Sequence, residues 1–130
     1  MEGAALGGGC ELACICDWVF ATPESKFGLP EINLWVFPPE AIGYFPRLFR
    51  YRNTVDLVLT GRVFGAEEAA RLGLVSRVVS ADGIGPAVES LLGALKGKSA
   101  FVLREACKTL RQTAGFVPAE AALRAEKAYL

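Results

Sequence analysis

Residues 7 to 17, GGGCELACICD, constrain this chain more than any other stretch. Gly7, Gly8 and Gly9 offer a turn that a neighbour or ligand can approach closely, because no Cβ stands in the way. The run that follows, residues 10 to 16, is apolar apart from one acid, Glu11. Periodicity cannot assign so short a run. A helix is favoured, because the glycines give a flexible entry and Glu11 falls in the first turn, where the helix dipole accommodates negative charge. Cys10, Leu12, Ala13, Cys14, Ile15 and Cys16 leave no polar face to carry Glu11 out to solvent. A partly desolvated carboxyl holds its proton more tightly than usual, which suits proton transfer near neutral pH.

The glycines alone leave two readings open. One is a tight turn before a helix. The other uses the free N–H groups at the helix start to stabilise a carbonyl oxygen that gains charge during a reaction. Glu31 follows Pro30, which stiffens the chain in an extended form. By itself Glu31 reads as a loop carboxylate at a strand entry. Brought back to the pocket of Glu11, it would make a pair of acids able to divide acid and base work.

The expected elements run from a glycine-rich turn (3–9) and a helix (10–16) to a β-prone run at WVFA. Pro30 disfavours helix in FGLPEINLWVF, and a short strand is expected near 32–37. Pro39 is a candidate first residue for a helix to about Leu48 that Pro46 bends or ends. A helix over 53–60 takes Asn53 as its N-cap and stops at Gly61. A helix over 66–73, a strand over 74–79 and helices near 83–96, 99–113 and 118–129 complete the pattern. Val102, Ala106, Leu110 and Ala114 recur at helical spacing on one apolar face. Two or three short strands do not make a self-sufficient sheet. The expectation is an α/β chain, part of a layered structure, with helices accumulating towards its end.

The chain has 130 residues, the size of one modest domain, and its 14 basic and 14 acidic side chains cancel. No basic cluster suggests a nucleic-acid partner; Arg47, Arg50 and Arg52 alternate with apolar residues and read as an amphipathic surface rather than an anion site. No uncharged apolar stretch is long enough to cross a membrane and no signal peptide is visible, so a cytoplasmic protein without membrane contact is expected. Cys10, Cys14, Cys16 and Cys107 lack the spacing of a zinc site and histidine is absent, so no metal is expected and the thiols read as buried and free. Without imidazole, a histidine-dependent triad within this chain is excluded.

GAALGGGCELACICD, then FGLPEINL, then LTGRVFGAEEAARLGLVSRVV resemble, in that order, the crotonase family of enoyl-CoA hydratases and isomerases, from Gly3 to about Val79. The resemblance implies a partial crotonase-like ββα spiral with a helix-rich C-terminal region, divided as a catalytic-core part (1–80) and a C-terminal helical region (81–130). It implies that Gly8 is an oxyanion-hole residue through its N–H and that Glu11 and Glu31 are catalytic. It sets Gly7, Leu29 and Pro30 on the substrate-binding surface. The implied reaction is addition of water to an α,β-unsaturated acyl-CoA; the thioester is substrate and no cofactor is implied. Isomerisation is the alternative, and possession of both glutamates favours hydration.

Where the family commonly has glycine, this chain has Trp35, and Pro39, Glu40 and Ala41 stand in place of a glycine-rich loop. Trp35 and Phe37 either shape an acyl pocket or pack in the core. Relative to the family pattern the N-terminal region, with the first oxyanion N–H, and the last helical stretch are expected to be missing. Loss of one oxyanion donor costs on the order of 3 kcal/mol of transition-state stabilisation. A further alternative is therefore an inactive fragment that needs a partner for the missing half. A complete parent protein is expected to form homotrimers or pairs of trimers.

Overall fold

The structure, a computed structural model, describes residues 1–114 and residue 127. Strand β1 (Ala4–Leu6) runs into Gly7, whose φ of 55° and ψ of −129° belong to glycine's territory. The Gly7 N–H donates to the Gly28 carbonyl at 2.9 Å and ties the turn to strand β3 (Lys26–Gly28). Helix α1 (Gly8–Cys14) leaves the turn directly. Strand β2 (Phe20–Ala21) follows it.

Strand β4 (Val63–Gly65) completes a three-stranded sheet in the order β1-β3-β4. β1 and β3 are parallel, with Ala5 opposite Phe27; β3 and β4 are antiparallel, with Phe27 opposite Phe64. Strand alternation turns Ala5, Phe27 and Phe64 inwards, and the two phenyl rings lie 6.1 Å apart. β2 pairs in parallel with β5 (Arg77–Val78).

Helix α2 (Pro39–Leu48) buries Ala41, Tyr44 and Phe45, and α3 (Tyr51–Thr60) buries Thr54, Leu57 and Val58, the spacing of one inward stripe each. Phe45 meets Phe49 edge-on at 4.8 Å. Helix α4 (Ala66–Leu72) buries Ala66 and Ala69 and ends at Gly73 in the left-handed region. α5 (Ile84–Lys96) and α6 (Ala100–Thr113) bury no residue, so the core is built by the strands, α1 to α4 and connecting residues such as Val19, Leu29, Leu74 and Val75. The architecture is α/β, as expected. No described helix is long and apolar enough to cross a membrane.

Several local expectations are corrected. Residues 30–34 form a short 3₁₀ turn, Pro30–Leu34, in place of the strand expected near 32–37. The fixed φ of Pro30 suits a first helical position, and Trp35, with φ 62°, ends the turn. Gly61 makes room for it: a Cβ there would lie 2.8 Å from Ile32 Cγ2. α3 starts at Tyr51, so Asn53 is inside the helix and Arg50 takes the N-cap position with φ 68°. α2 continues through Pro46 because that residue lies in its last turn; the helix stops at Leu48. The strand expected over 74–79 shrinks to Arg77–Val78. Cys10 and Cys14 are buried, but Cys16 is exposed. The helix expected over 118–129 lies outside the described residues.

Candidate active site

Glu11 is buried, at 8% exposure, although it stands in the first turn of a helix that begins at the surface. Its Oε1 accepts a hydrogen bond from the Ala41 N–H at 2.8 Å. Ala41 is the third residue of α2, where backbone donors lack partners within the helix. Pro38, in the N-cap position, makes no side-chain cap, and the Glu11 carboxylate supplies one from another helix. Burial is the main influence on this carboxyl and raises its proton affinity above the ordinary range. The Ala41 amide opposes that, and the charges of Glu31 and Glu40 add to it.

Glu31 lies in the 3₁₀ turn and comes back to the glycines from the other side. A Cβ placed on Gly7 would stand 2.7 Å from Glu31 Oε1; one placed on Gly8 would stand 4.0 Å from Glu11 Oε2. The two carboxylates therefore flank adjacent residues of one turn. Glu31 Oε2 is buried and has no hydrogen-bond partner among the described residues. A buried acceptor left in this state is stabilised when a donor such as water reaches it.

The Gly7 carbonyl accepts from both Cys10 N–H (2.8 Å) and Glu11 N–H (3.0 Å). The Gly7 N–H is spent on Gly28. Among the described residues no acceptor is found for the N–H of Gly8, the first residue of α1. That amide is thus open at a helix start, between the two acids.

The other site residues expected from the sequence fall in different places. Leu29 has no exposed surface and belongs to the core. Pro30 is half-buried and opens the 3₁₀ turn. Trp35, itself left-handed at the end of the turn, is 96% exposed and does not pack in the core. Phe37 is half-buried.

Sequence reading missed Ala41, Glu40 and Tyr44. The Tyr44 hydroxyl, on a residue only 3% exposed, donates to Glu40 Oε2 at 2.8 Å. The i, i+4 spacing of Glu40 and Tyr44 after two prolines was the available signal. Burial, followed by the bond to Glu40, raises the proton affinity of Tyr44, so the phenol remains a donor. A cavity of about 270 Å³ is lined by Cys14, Asp17, Leu48, Phe49, Leu110 and Arg111 among others, and neither Glu11 nor Glu31 reaches it. Among the described residues no cluster of three or more acids, thiols or imidazoles is arranged to hold a metal ion.

Two carboxylates and an open amide around one turn suit a substrate with a carbonyl to polarise and a neighbouring carbon that exchanges a proton. A family model described as "Enoyl-CoA hydratase/isomerase" matches residues 1–130. A protein of Rhizobium meliloti (strain 1021), named "Probable enoyl-CoA hydratase", is 47% identical over 106 residues, covering 79% of this chain and 39% of that protein. The "Crotonyl-CoA hydratase" of Syntrophomonas wolfei is 38% identical over 105 residues, covering 80% of this chain and 40% of its own. The crystal structure of enoyl-CoA hydratase from Bacillus anthracis aligns with a TM-score of 0.82 at 29% identity, covering 98% of this chain and 49% of that one. The chain spans about two fifths of the length of these two curated relatives.

Proposed function

This chain belongs to the enoyl-CoA hydratase/isomerase family, and from that premise we propose that its site adds water across the double bond of an α,β-unsaturated acyl-CoA. The thioester carbonyl is polarised by the Gly8 N–H, which stabilises the oxygen as it gains charge. A water lies between the carboxyls of Glu11 and Glu31. Glu11 takes a proton from that water while its oxygen forms the new bond to the β-carbon. The double-bond electrons move towards the carbonyl, and Glu31 gives a proton to the α-carbon. The cycle closes when Glu11 loses its proton and Glu31 regains one through solvent.

The observation that carries this reading is the flanking of Gly7 and Gly8 by two carboxylates, with Glu31 Oε2 buried and unpartnered beside the open amide. A double-bond shift moves one proton between two carbons and can be run by one carboxyl; two facing carboxyls favour the addition of water. The thioester makes its own α-carbon acidic and its β-carbon electrophilic, so the reading calls on no metal or redox group. The test is the loss of the conjugated enoyl absorbance when the protein meets crotonyl-CoA, with 3-hydroxybutyryl-CoA as the product. Folded protein that leaves crotonyl-CoA and longer enoyl-CoA thioesters unchanged would contradict the proposal.

A further inference from the structure

The 3₁₀ turn that carries Glu31, Pro30–Leu34, buries none of its own five residues. Its place is therefore set by what it touches rather than by core side chains of its own. On one side the Glu31 carboxylate lies against Gly7, where a Cβ would stand 2.7 Å from Oε1. On the other side the turn lies against Gly61, the left-handed residue that ends α3. A Cβ on Gly61 would stand 2.8 Å from Ile32 Cγ2 and 2.9 Å from Asn33 Nδ2. Ile32 and Asn33 are the two residues after Glu31. Carbon atoms in contact sit about 3.5–4.0 Å apart, so this seat has no room for a side chain.

Both walls are tied to one frame. The Gly7 N–H donates to the Gly28 carbonyl at 2.9 Å, and Gly28 pairs with Val63 of β4, two residues past Gly61. Arg62, between them, bridges two helices: its Nε donates to Asp56 Oδ2 of α3 at 2.8 Å and its Nη2 to Glu68 Oε1 of α4 at 2.7 Å. We propose that Gly61 is a positioning residue for Glu31: its bare backbone is the seat on which the turn rests, opposite Gly7, and that seat sets where the Glu31 carboxyl stands. The inference rests on the role given to Glu31 above. Gly61 acts through Ile32 and the turn, not on the reacting atoms. Asn33 is exposed and the end of its side chain can swing aside. Ile32 Cγ2 is bonded to Cβ and cannot leave without moving the turn, so a methyl group on Gly61 displaces Glu31.

Gly73 separates this push from backbone strain. It ends α4 in the same left-handed region, yet nothing lies within 4 Å of a Cβ built there. The test compares Gly61→Ala and Gly73→Ala by crotonyl-CoA kinetics and by carboxyl-carbon NMR of glutamate-labelled protein, with the Glu31 resonance assigned by its loss in Glu31→Gln. In Gly61→Ala the Glu31 resonance moves and kcat falls by about 10²-fold, the scale for a reacting group misplaced by about 1 Å. KM stays near wild type, because Glu31 gives its proton in the transition state. Gly73→Ala keeps the wild-type resonance and kcat. Ile32→Leu, which lacks the Cγ2 methyl, restores most of the lost kcat in the Gly61→Ala background, scored against Ile32→Leu alone. If Gly61→Ala does not fold, Ile32→Ala loosens the same seat from the turn side, and its Glu31 resonance and kcat decide the matter. Wild-type protein without hydratase activity counts against the proposed function, and the Glu31 resonance then decides the role of Gly61 alone. A folded Gly61→Ala, or in its place Ile32→Ala, with an unmoved Glu31 resonance overturns the assignment, as does a kcat loss in Gly61→Ala that Gly73→Ala matches.

Discussion

Replacing Gly7 by alanine tests the turn on which both carboxylates converge. The substitution acts twice. Gly7 has φ 55° and ψ −129°, which an L-residue adopts only under strain of about 1–3 kcal/mol. The new methyl group would also stand 2.7 Å from Glu31 Oε1, well inside contact distance, so the carboxylate must give way. Gly3 supplies the control. Its φ is 73°, yet a Cβ there meets nothing within 4 Å, so Gly3→Ala carries backbone strain alone. In a chain of this size each kcal/mol moves the melting temperature by about 4 °C. Both variants should therefore melt several degrees below the wild type, with Gly7→Ala the lower. Displacing a reacting group by about 1 Å lowers a rate by roughly 10²-fold. Hydration of crotonyl-CoA should fall by about that factor in Gly7→Ala and stay near wild type in Gly3→Ala, measured below both melting points. Gly7→Ala protein with wild-type melting and wild-type turnover would refute the reasoning.

Glu11→Gln should become more stable relative to the wild type as pH rises. The folded protein raises the proton affinity of Glu11, so its favourable contribution is complete at acid pH and is lost as the buried carboxyl ionises on the way up. Chemical denaturation at several pH values from about 4 to 8 measures this; a stability of Glu11→Gln relative to wild type that stays flat or falls with rising pH contradicts it. Phe27→Ala removes a side chain with no exposed surface that faces Phe64, and should destabilise the protein by about 3–5 kcal/mol in urea titrations; a loss under about 1 kcal/mol would show that this is not the core. A thiol reagent should label Cys16 in the native protein and reach Cys10 and Cys14 only after denaturation, as mass spectrometry of labelled peptides would show; native labelling of Cys10 would contradict their burial.

Some of this was written locally in the chain. Pro39 at the head of α2, and Gly61 and Gly73 past the ends of α3 and α4, act through their own backbone preferences and were readable without a fold. The seclusion of Glu11 was readable as well, because its neighbours in α1 offer no wet face. Strands β1, β3 and β4 were not. Each has three residues and exists through partners elsewhere in the chain, as Ala5 does opposite Phe27. Ile32, Trp35 and Val36 have strand preferences, but the seat that Gly61 leaves for Ile32 and Asn33 outweighs them. The Ala41 amide that holds Glu11 carries no side-chain signature. A backbone donor becomes visible only when the fold has placed it.

The central claim is that Glu11 and Glu31 work on one water as a unit. The most direct measurement is the rate of crotonyl-CoA hydration for wild type, Glu11→Gln, Glu31→Gln and the double variant, with folding checked for each. A positioned acid or base contributes roughly 10²–10⁴-fold, and groups that act together are non-additive. The account predicts that each single substitution removes nearly as much rate as both together. Losses that multiply independently, or turnover that survives the double substitution, would contradict it.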